Sequence, residues 1–131
     1  MIVVDASAVL TLILARSPAT SIADRLFASH ESLAAPELIE LEVLQVLRRV
    51  ALGGEVSADR ALSALEAFHD LPIDAIGHRA LAARIWELRH QLSAYDAAYV
   101  SLAEALDAPL LTCDRRLSHT HGHHARIEFA G

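Results

Sequence analysis

Short apolar runs alternate with longer segments of helical periodicity along the whole chain. Residues 2–4, 33–35 and 110–113 are compact apolar runs, and each ends at an aspartate or a proline. Such runs are typical of buried strands. Residues 72–73 indicate the start of a further brief strand, and residues 126–129 indicate a final strand at the edge of a sheet.

Between these runs, apolar residues recur three or four positions apart, which is the spacing of one helical face. Helices are predicted at residues 6–14, at about 20–29, from Pro36 to the Gly53-Gly54 pair, after Ser57, at 81–88 and from Ser93 to about 106. Ser57 and Ser93 are placed to cap the helices that they precede. The helix after Pro36 has a wide apolar face, formed by Leu38, Leu41, Val43, Leu44, Val46, Leu47 and Val50.

Alternation of strands and helices predicts an α/β fold with a parallel sheet covered by helices on both faces. The chain has 131 residues, 53% of them hydrophobic, with 5 Gly and 4 Pro and no internal repeat. This length and composition predict a folded protein with one domain spanning residues 1–131.

Cysteine content and hydropathy indicate in which cellular compartment the protein works. Cys113 is the single cysteine, so the chain has neither an internal disulfide nor zinc-finger spacing. No apolar run is long enough to span a bilayer. We therefore expect a soluble protein of the cytoplasm that does not act at a membrane.

The basic residues exclude several classes of enzyme. All 11 are arginines, so a P-loop lysine and a Schiff-base lysine are both absent. The net charge of −6 argues against broad electrostatic binding of nucleic acid. If four carboxylates are metal ligands, the rest of the chain has a net charge of only −2. Bound divalent cations would then make the surface that carries these carboxylates more positive.

Four carboxylates are predicted to meet at one edge of the sheet. Asp5 and Asp114 end strands, while Glu42 and Asp96 lie near the starts of helices. In a parallel sheet, the carboxyl ends of the strands and the starts of the following helices share one edge. Oxygen ligands of this kind suit Mg²⁺ or Mn²⁺, which would relieve the repulsion between the carboxylates.

Each of these acids also has a purely structural interpretation. Asp5 and Asp114 are placed to cap the helices that follow them. Asp96 lies three residues after Ser93, which is the S-x-x-D spacing of a capping box. Glu42 shares the start of its helix with two other glutamates, as an ordinary solvated acidic turn would. Convergence of all four is what favours a metal site.

Four motifs follow one another along the chain: Asp5-Ala6-Ser7-Ala8 after an apolar strand, Pro36-Glu37-Leu38 leading to Glu42-Val43, Tyr95-Asp96-Ala97-Ala98-Tyr99, and Leu111-Thr112-Cys113-Asp114 with Arg115-Arg116-Leu117. In this order and spacing they resemble the motifs of PIN-domain ribonucleases, and the length resembles that of minimal VapC toxins of VapBC toxin-antitoxin pairs.

The resemblance implies a three-layer α/β/α sandwich with a parallel sheet of four or five strands. It also implies an Mg²⁺-dependent endoribonuclease, with Mn²⁺ as a possible substitute, that forms a homodimer and is blocked by a cognate VapB-like antitoxin. The catalytic and metal-binding residues would be Asp5, Glu42, Asp96 and Asp114, supported by Ser7 and Thr112.

Some assignments within this resemblance compete. Glu40 is an alternative to Glu42, but the neighbouring Leu38 and Val43 favour Glu42. Arg49 lies seven residues after Glu42, on the same helical face, and is a candidate for contact with an RNA phosphate. Arg115 is a second candidate of this kind.

Two features lie outside the family pattern. The histidines at positions 119, 121, 123 and 124 could bind a transition metal, but a solvated loop is the favoured interpretation. Cys113 could be a nucleophile, although a small buried side chain is the favoured interpretation.

Two other functions remain open from the sequence. One is a non-catalytic module whose carboxylates cap helices and whose apolar surface binds a partner. The other is a PIN nuclease of RNA maturation that has no antitoxin.

Overall fold

A five-stranded, fully parallel sheet organises the molecule, and the computed structural model describes residues 1–131. The strand order is β3-β2-β1-β4-β5, so β1 is central and is flanked by β2 and β4. This order confirms the predicted parallel α/β sheet. The strands are β1 (Ile2–Val4), β2 (Leu33–Pro36), β3 (Ile73–Ile76), β4 (Leu110–Thr112) and β5 (Ile127–Phe129).

Seven helices connect the strands and cover the sheet in an α/β/α sandwich. They are α1 (Ala6–Ile13), α2 (Ala19–Phe27), α3 (Ile39–Leu52), α4 (Ala58–Asp70), α5 (Ala82–Glu87), α6 (Ala94–Leu106) and α7 (Arg115–Ser118). α1 contacts α2, α3 and α4, whereas α5 packs against α6, which contacts β1, β2 and β4. Every predicted helix is present, and the helix expected after Asp114 is the single turn α7.

The core forms around the central strand and α6. Ile2, Val3 and Val4 of β1 are completely buried, as expected for a strand covered on both faces. Burying each such side chain contributes about 1.5–3 kcal/mol relative to leaving it in water. α6 is buried over residues 97–103, without interruption, and it thereby fixes the position of the helix start that carries Asp96.

The wide apolar face of α3 is only partly buried. Val43, Leu47 and Val50 face the core, but Leu41 is 72% exposed and Leu44 is also exposed. The periodicity predicted the helix correctly, whereas the width of its apolar face exceeds the surface that the core covers. α3 therefore presents apolar side chains to solvent as well as to the core.

The helical stretch predicted at residues 81–88 is divided in the structure. A 3-10 turn at Arg79–Leu81 precedes the six-residue α5. Leu81 and Leu88 are buried, but Trp86 is exposed and its ring lies under the guanidinium of Arg89. None of the helices is both long enough and apolar enough to cross a membrane.

Hydroxyl caps begin two of the helices, as the sequence predicted. The Ser57 hydroxyl accepts a hydrogen bond from the Arg60 amide at 3.0 Å, and the Ser93 hydroxyl accepts one from the Asp96 amide at 3.1 Å. Each cap satisfies an amide that has no partner within its own helix. The Ser93 cap also fixes the start of α6 at the edge where the strands end.

Candidate active site

Four acidic side chains reach the carboxyl edge of the sheet from four separate segments, and we call them the acidic cluster. Asp5 follows β1, Asp114 follows β4, Glu42 lies in the first turn of α3 and Asp96 lies in the first turn of α6. α3 begins after β2, and α6 leads back towards the start of β4, so both helices begin at this edge.

Asp5 is the buried member of the cluster. Its carboxylate accepts hydrogen bonds from the Ser7 hydroxyl at 2.6 Å, the Thr112 hydroxyl at 2.5 Å and the Ala8 amide at 3.0 Å. Burial raises the pKa of Asp5, these hydrogen bonds oppose the rise, and repulsion from Asp114 adds to it. Asp5 therefore caps α1 and is held in one orientation at the end of β1.

Ser7 and Thr112 connect Asp5 to the end of β4. The Thr112 side chain is completely buried, and its oxygen accepts a hydrogen bond from the Asp114 amide at 2.9 Å. The Ser7 oxygen accepts one from the Cys113 amide at 2.9 Å. The two hydroxyls thus donate to Asp5 while they hold the backbone that carries Asp114.

Glu42 is half-buried and has a hydrogen-bond donor of its own. The Tyr99 hydroxyl, which belongs to a buried side chain of α6, donates to Glu42 Oε1 at 2.5 Å. Burial raises the pKa of Glu42, the bond from Tyr99 opposes this, and repulsion from Asp5 and Asp96 reinforces it. Burial, together with the bond to Glu42, also raises the pKa of Tyr99, so this phenol remains a donor.

The sequence analysis did not single out Tyr99 for a role at the site. The available signal was its spacing, because Tyr99 lies three residues after Asp96 and hence on the same side of α6. The acidic residue that Tyr99 contacts depends on how α3 packs against α6, and the spacing of residues within α6 does not predict this packing.

Asp96 and Asp114 are partly exposed, as Glu42 is, and both lie near Arg116. Burial raises the pKa of Asp96, with a further contribution from the charge of Asp114, while Arg116 lowers it. Arg116 Nη2 lies 3.0 Å from Asp114 Oδ2, and the Arg116 amide donates to Asp114 Oδ1 at 2.9 Å. Asp114 therefore caps α7 and also forms an ion pair with its second residue.

The chemistry of the cluster fits a hard divalent cation. Repulsion links Asp5 with Asp114 and Glu42, and Asp96 with Glu42 and Asp114, so all four carboxylates lie within electrostatic reach of one another. No group of three or more His, Cys, Asp or Glu side chains in the structure is arranged so that it could hold a metal ion. Mg²⁺ can bind through one or two carboxylates while it retains several waters, so the residues fit this ion without a third direct ligand.

Two candidate side chains from the sequence analysis, Glu40 and Arg115, are directed away from the acidic cluster. Glu40 Oε1 lies 2.8 Å from His69 Nε2 of α4, so this carboxylate faces α4. The guanidinium of Arg115 lies over the Phe129 ring at 4.7 Å, whereas the adjacent Arg116 contacts the cluster. Arg49, in the last turn of α3, is exposed.

A cavity of about 410 Å³ lies beside Asp96, a member of the cluster, and we call it the Arg116 cavity. Its lining is mostly polar: Gln91, Leu92, Ser93, Asp96, Arg116, Leu117 and Thr120. The Arg116 guanidinium and several neutral hydrogen-bonding groups therefore lie next to Asp96 in this cavity.

The histidine-rich segment and Cys113 have structural partners. His123 Nδ1 accepts a hydrogen bond from the Ala125 amide at 3.1 Å, and its Nε2 lies 3.0 Å from the Thr120 hydroxyl. Burial raises the pKa of the Cys113 thiol, which disfavours the nucleophilic thiolate. Cys113 packs against the core but is only partly buried, so the expectation of a buried side chain is only partly met.

A family model described as the PIN domain matches residues 2–122 of the chain. The chain belongs to the PIN-domain family. This confirms the resemblance carried by the four motifs, and the five-stranded parallel sheet between helical layers is of the kind that the resemblance implied.

Named relatives of this PIN domain are VapC ribonucleases of Mycobacterium tuberculosis. Ribonuclease VapC12 is 37% identical over 128 residues, which cover 98% of each chain. Ribonuclease VapC9 is 42% identical over 120 residues, which cover 92% of this chain and 91% of the relative.

Solved structures share the fold of this PIN domain. PAE2754 from Pyrobaculum aerophilum superposes with a TM-score of 0.73 at 25% identity, over 96% of this chain and 81% of the other. VapBC2 from Rickettsia felis, solved with a DNA fragment from its promoter, gives a TM-score of 0.72 at 16% identity, with full coverage of both chains.

Proposed function

We propose that this PIN domain is a divalent-metal-dependent endoribonuclease. The observation that carries the proposal is the acidic cluster: four carboxylates from distant segments lie within electrostatic reach at one edge. Repulsion among them favours a cation, and the donor set suits Mg²⁺ or Mn²⁺. The names of the VapC relatives, which match nearly the whole chain, support RNA as the substrate.

The residues of the acidic cluster and those that hydrogen-bond them have different roles in the proposed hydrolysis. Asp5, Asp96 and Asp114 hold the ion, directly or through water, while Glu42 ligates it or orients the attacking water. The cation, when bound, lowers the pKa of that water and offsets negative charge on the phosphate. Ser7, Thr112 and Tyr99 act through the carboxylates that they hydrogen-bond, by holding Asp5 and Glu42 in place.

We further propose that the protein is the toxin of a toxin-antitoxin pair, a homodimer that is blocked by a VapB-like antitoxin. Identity of 37–42% with VapC ribonucleases over nearly the full length supports this assignment. α3 offers the exposed Leu41 and Leu44, and the neighbouring helices offer Trp86 and Tyr95, as apolar surface for partner proteins.

The test of the function is cleavage of a panel of single-stranded, loop-containing and duplex RNAs. We expect cleavage with Mg²⁺, its loss with a chelator and its return when Mg²⁺ is restored. Glu42→Gln should abolish cleavage, whereas Glu40→Gln is the matched control and should retain it, because Glu40 faces His69. Equal loss in both variants would make both glutamates essential, whereas loss in Glu40→Gln alone would place the essential glutamate at position 40. Absence of metal-dependent cleavage of every RNA would exclude the proposed activity.

A further inference from the structure

Arg116 is the one arginine whose guanidinium contacts the acidic cluster. Its Nη2 forms an ion pair with Asp114 Oδ2 at 3.0 Å. Its positive charge also acts on Asp96, the neighbouring member of the cluster. In the absence of a metal ion, Arg116 therefore supplies positive charge to Asp114 and Asp96.

This ion pair is easily broken. The Arg116 side chain is 84% exposed, and its partner lies only two residues away. Exposed ion pairs contribute about 0–1 kcal/mol, because water screens the attraction and the long side chain loses freedom. A divalent cation that binds Asp114 can displace the guanidinium at little cost in free energy.

The released guanidinium has a second position available to it, in the Arg116 cavity. Arg116 lines the Arg116 cavity, whose volume of about 410 Å³ is in the range of small-molecule sites. Gln91, Ser93 and Thr120 contribute neutral hydrogen-bonding groups to the same wall. A planar guanidinium binds phosphate oxygens well, and the cavity borders the carboxylates that would hold the ion.

We propose that Arg116 exchanges partners: it neutralises Asp114 in the metal-free protein and binds an RNA phosphate in the Arg116 cavity once a divalent cation has replaced it. The inference rests on the proposed ribonuclease function and assigns a phosphate-binding residue to it. One side chain thereby serves as counter-ion in the resting site and as a substrate contact in the loaded site.

The exchange predicts opposite effects of one substitution on two ligands. Arg116→Gln should bind Mg²⁺ about three- to fivefold more tightly, because a competing cation is gone. The same variant should bind RNA more weakly, because a phosphate contact is lost. Removal of any positive charge also favours Mg²⁺ slightly, so a control of equal charge is needed.

Arg126→Gln is that control. Arg126 Nη1 pairs with Asp107 Oδ1 at 2.9 Å, and both side chains are exposed. Asp107 ends α6 and Arg126 precedes β5, so this pair lies at the opposite edge of the sheet. The control removes the same charge from a similar ion pair without touching the cluster or the cavity.

The experiment measures Mg²⁺ binding by calorimetry without RNA, and then KM and kcat for cleavage of a single-stranded RNA at saturating Mg²⁺. We expect Arg116→Gln to bind Mg²⁺ more tightly, to raise KM about fivefold with little change in kcat, and to reduce the salt slope by about 0.7. Arg116→Lys should keep the salt slope. Arg126→Gln should match the wild type in KM, kcat and salt slope, and should show only the slight gain in Mg²⁺ affinity that follows the loss of any positive charge.

The outcomes separate this inference from the function on which it rests. Equal Mg²⁺ affinity in Arg116→Gln and Arg126→Gln overturns the counter-ion role, and an unchanged KM overturns the phosphate contact. Either result in an active wild type leaves the ribonuclease function standing. A wild type that neither binds Mg²⁺ nor cleaves RNA overturns both proposals.

Discussion

At the scale of single residues, Asp5 combines a structural and a proposed chemical role in one carboxylate. It caps α1 through the Ala8 amide and receives hydroxyl bonds from Ser7 and Thr112. An asparagine retains the shape and an acceptor oxygen but has no charge for a cation. Substitution at this position therefore separates capping from metal binding.

We expect Asp5→Asn to abolish RNA cleavage and to leave the fold intact. The variant lacks a charged ligand, but it also lacks the repulsion with Asp114 that the metal-free site carries. Cleavage rate and the melting temperature in chelator are the two measurements. A variant that melts far below the parent would show that the cap and the hydroxyl bonds need the full charge.

Tyr99→Phe should lower turnover about tenfold, because Glu42 loses the donor that orients it. The buried ring remains, so the free energy of unfolding should fall by only about 1 kcal/mol, the contribution of one hydrogen bond. Turnover at saturating Mg²⁺ and unfolding in urea provide the two values.

Tyr95→Phe is the matched control for this substitution, since Tyr95 is an exposed tyrosine at the start of the same helix. It should leave turnover and stability unchanged. Unchanged turnover in Tyr99→Phe would mean that Glu42 keeps its position without the phenol.

At the scale of elements, the sequence predicted the strands and helices because each signal was local. The β-branched residues 2–4, the Ser57 and Ser93 caps and the glycines after α3 all depend on neighbours in the chain. The four acids could be placed at one edge because parallel topology fixes that edge. These features needed no knowledge of packing.

Features that depend on packing could not be predicted. Leu41 and Val43 are both apolar residues of α3, yet one is exposed and the other buried, because the core covers only part of the helix. Arg115 and Arg116 are adjacent, but only the structure shows which guanidinium contacts Asp114 and which lies over Phe129. Such choices depend on what the rest of the chain places nearby.

The two serine caps offer a test at the element scale. Ser93→Ala and Ser57→Ala should each lower the free energy of unfolding by about 1 kcal/mol, because each leaves an amide without its partner. We expect only Ser93→Ala to reduce Mg²⁺ affinity and cleavage, since α6 carries Asp96 in its first turn. Equal activity of the two variants would show that packing alone positions Asp96.

At the scale of the whole molecule, the acidic cluster makes stability depend on pH. The pKa values of Asp5, Glu42 and Asp96 are raised in the folded protein. The folded state then binds more protons than the unfolded chain, so stability falls as pH rises from about 4 through the folded pKa values. Carboxylates with a lowered pKa, such as Glu104 beside Arg84, act in the opposite direction.

A comparison between variants isolates this effect. In chelator, the Glu42→Gln/Asp96→Asn double variant should gain stability relative to the parent as pH rises from about 4 to 7. Urea unfolding at a series of pH values measures the difference. A difference that does not vary with pH would contradict the raised pKa values.

Mg²⁺ should raise the melting temperature at pH 7, because it binds the folded cluster and has little affinity for the unfolded chain. The increase should vanish in the Asp5→Asn/Asp114→Asn double variant. Thermal unfolding with and without Mg²⁺ tests this. The use of Mg²⁺ avoids the histidine-rich segment, because imidazole is a poor ligand for it. A shift that persists in the double variant would place the ion elsewhere.

The central position of β1 has a consequence for the protein while it is being made. The Thr112 hydroxyl that holds Asp5 lies 107 positions later in the sequence. Thr112 ends β4, which pairs with β1. A growing chain therefore cannot complete the acidic cluster until β4 has been synthesised and has paired with β1.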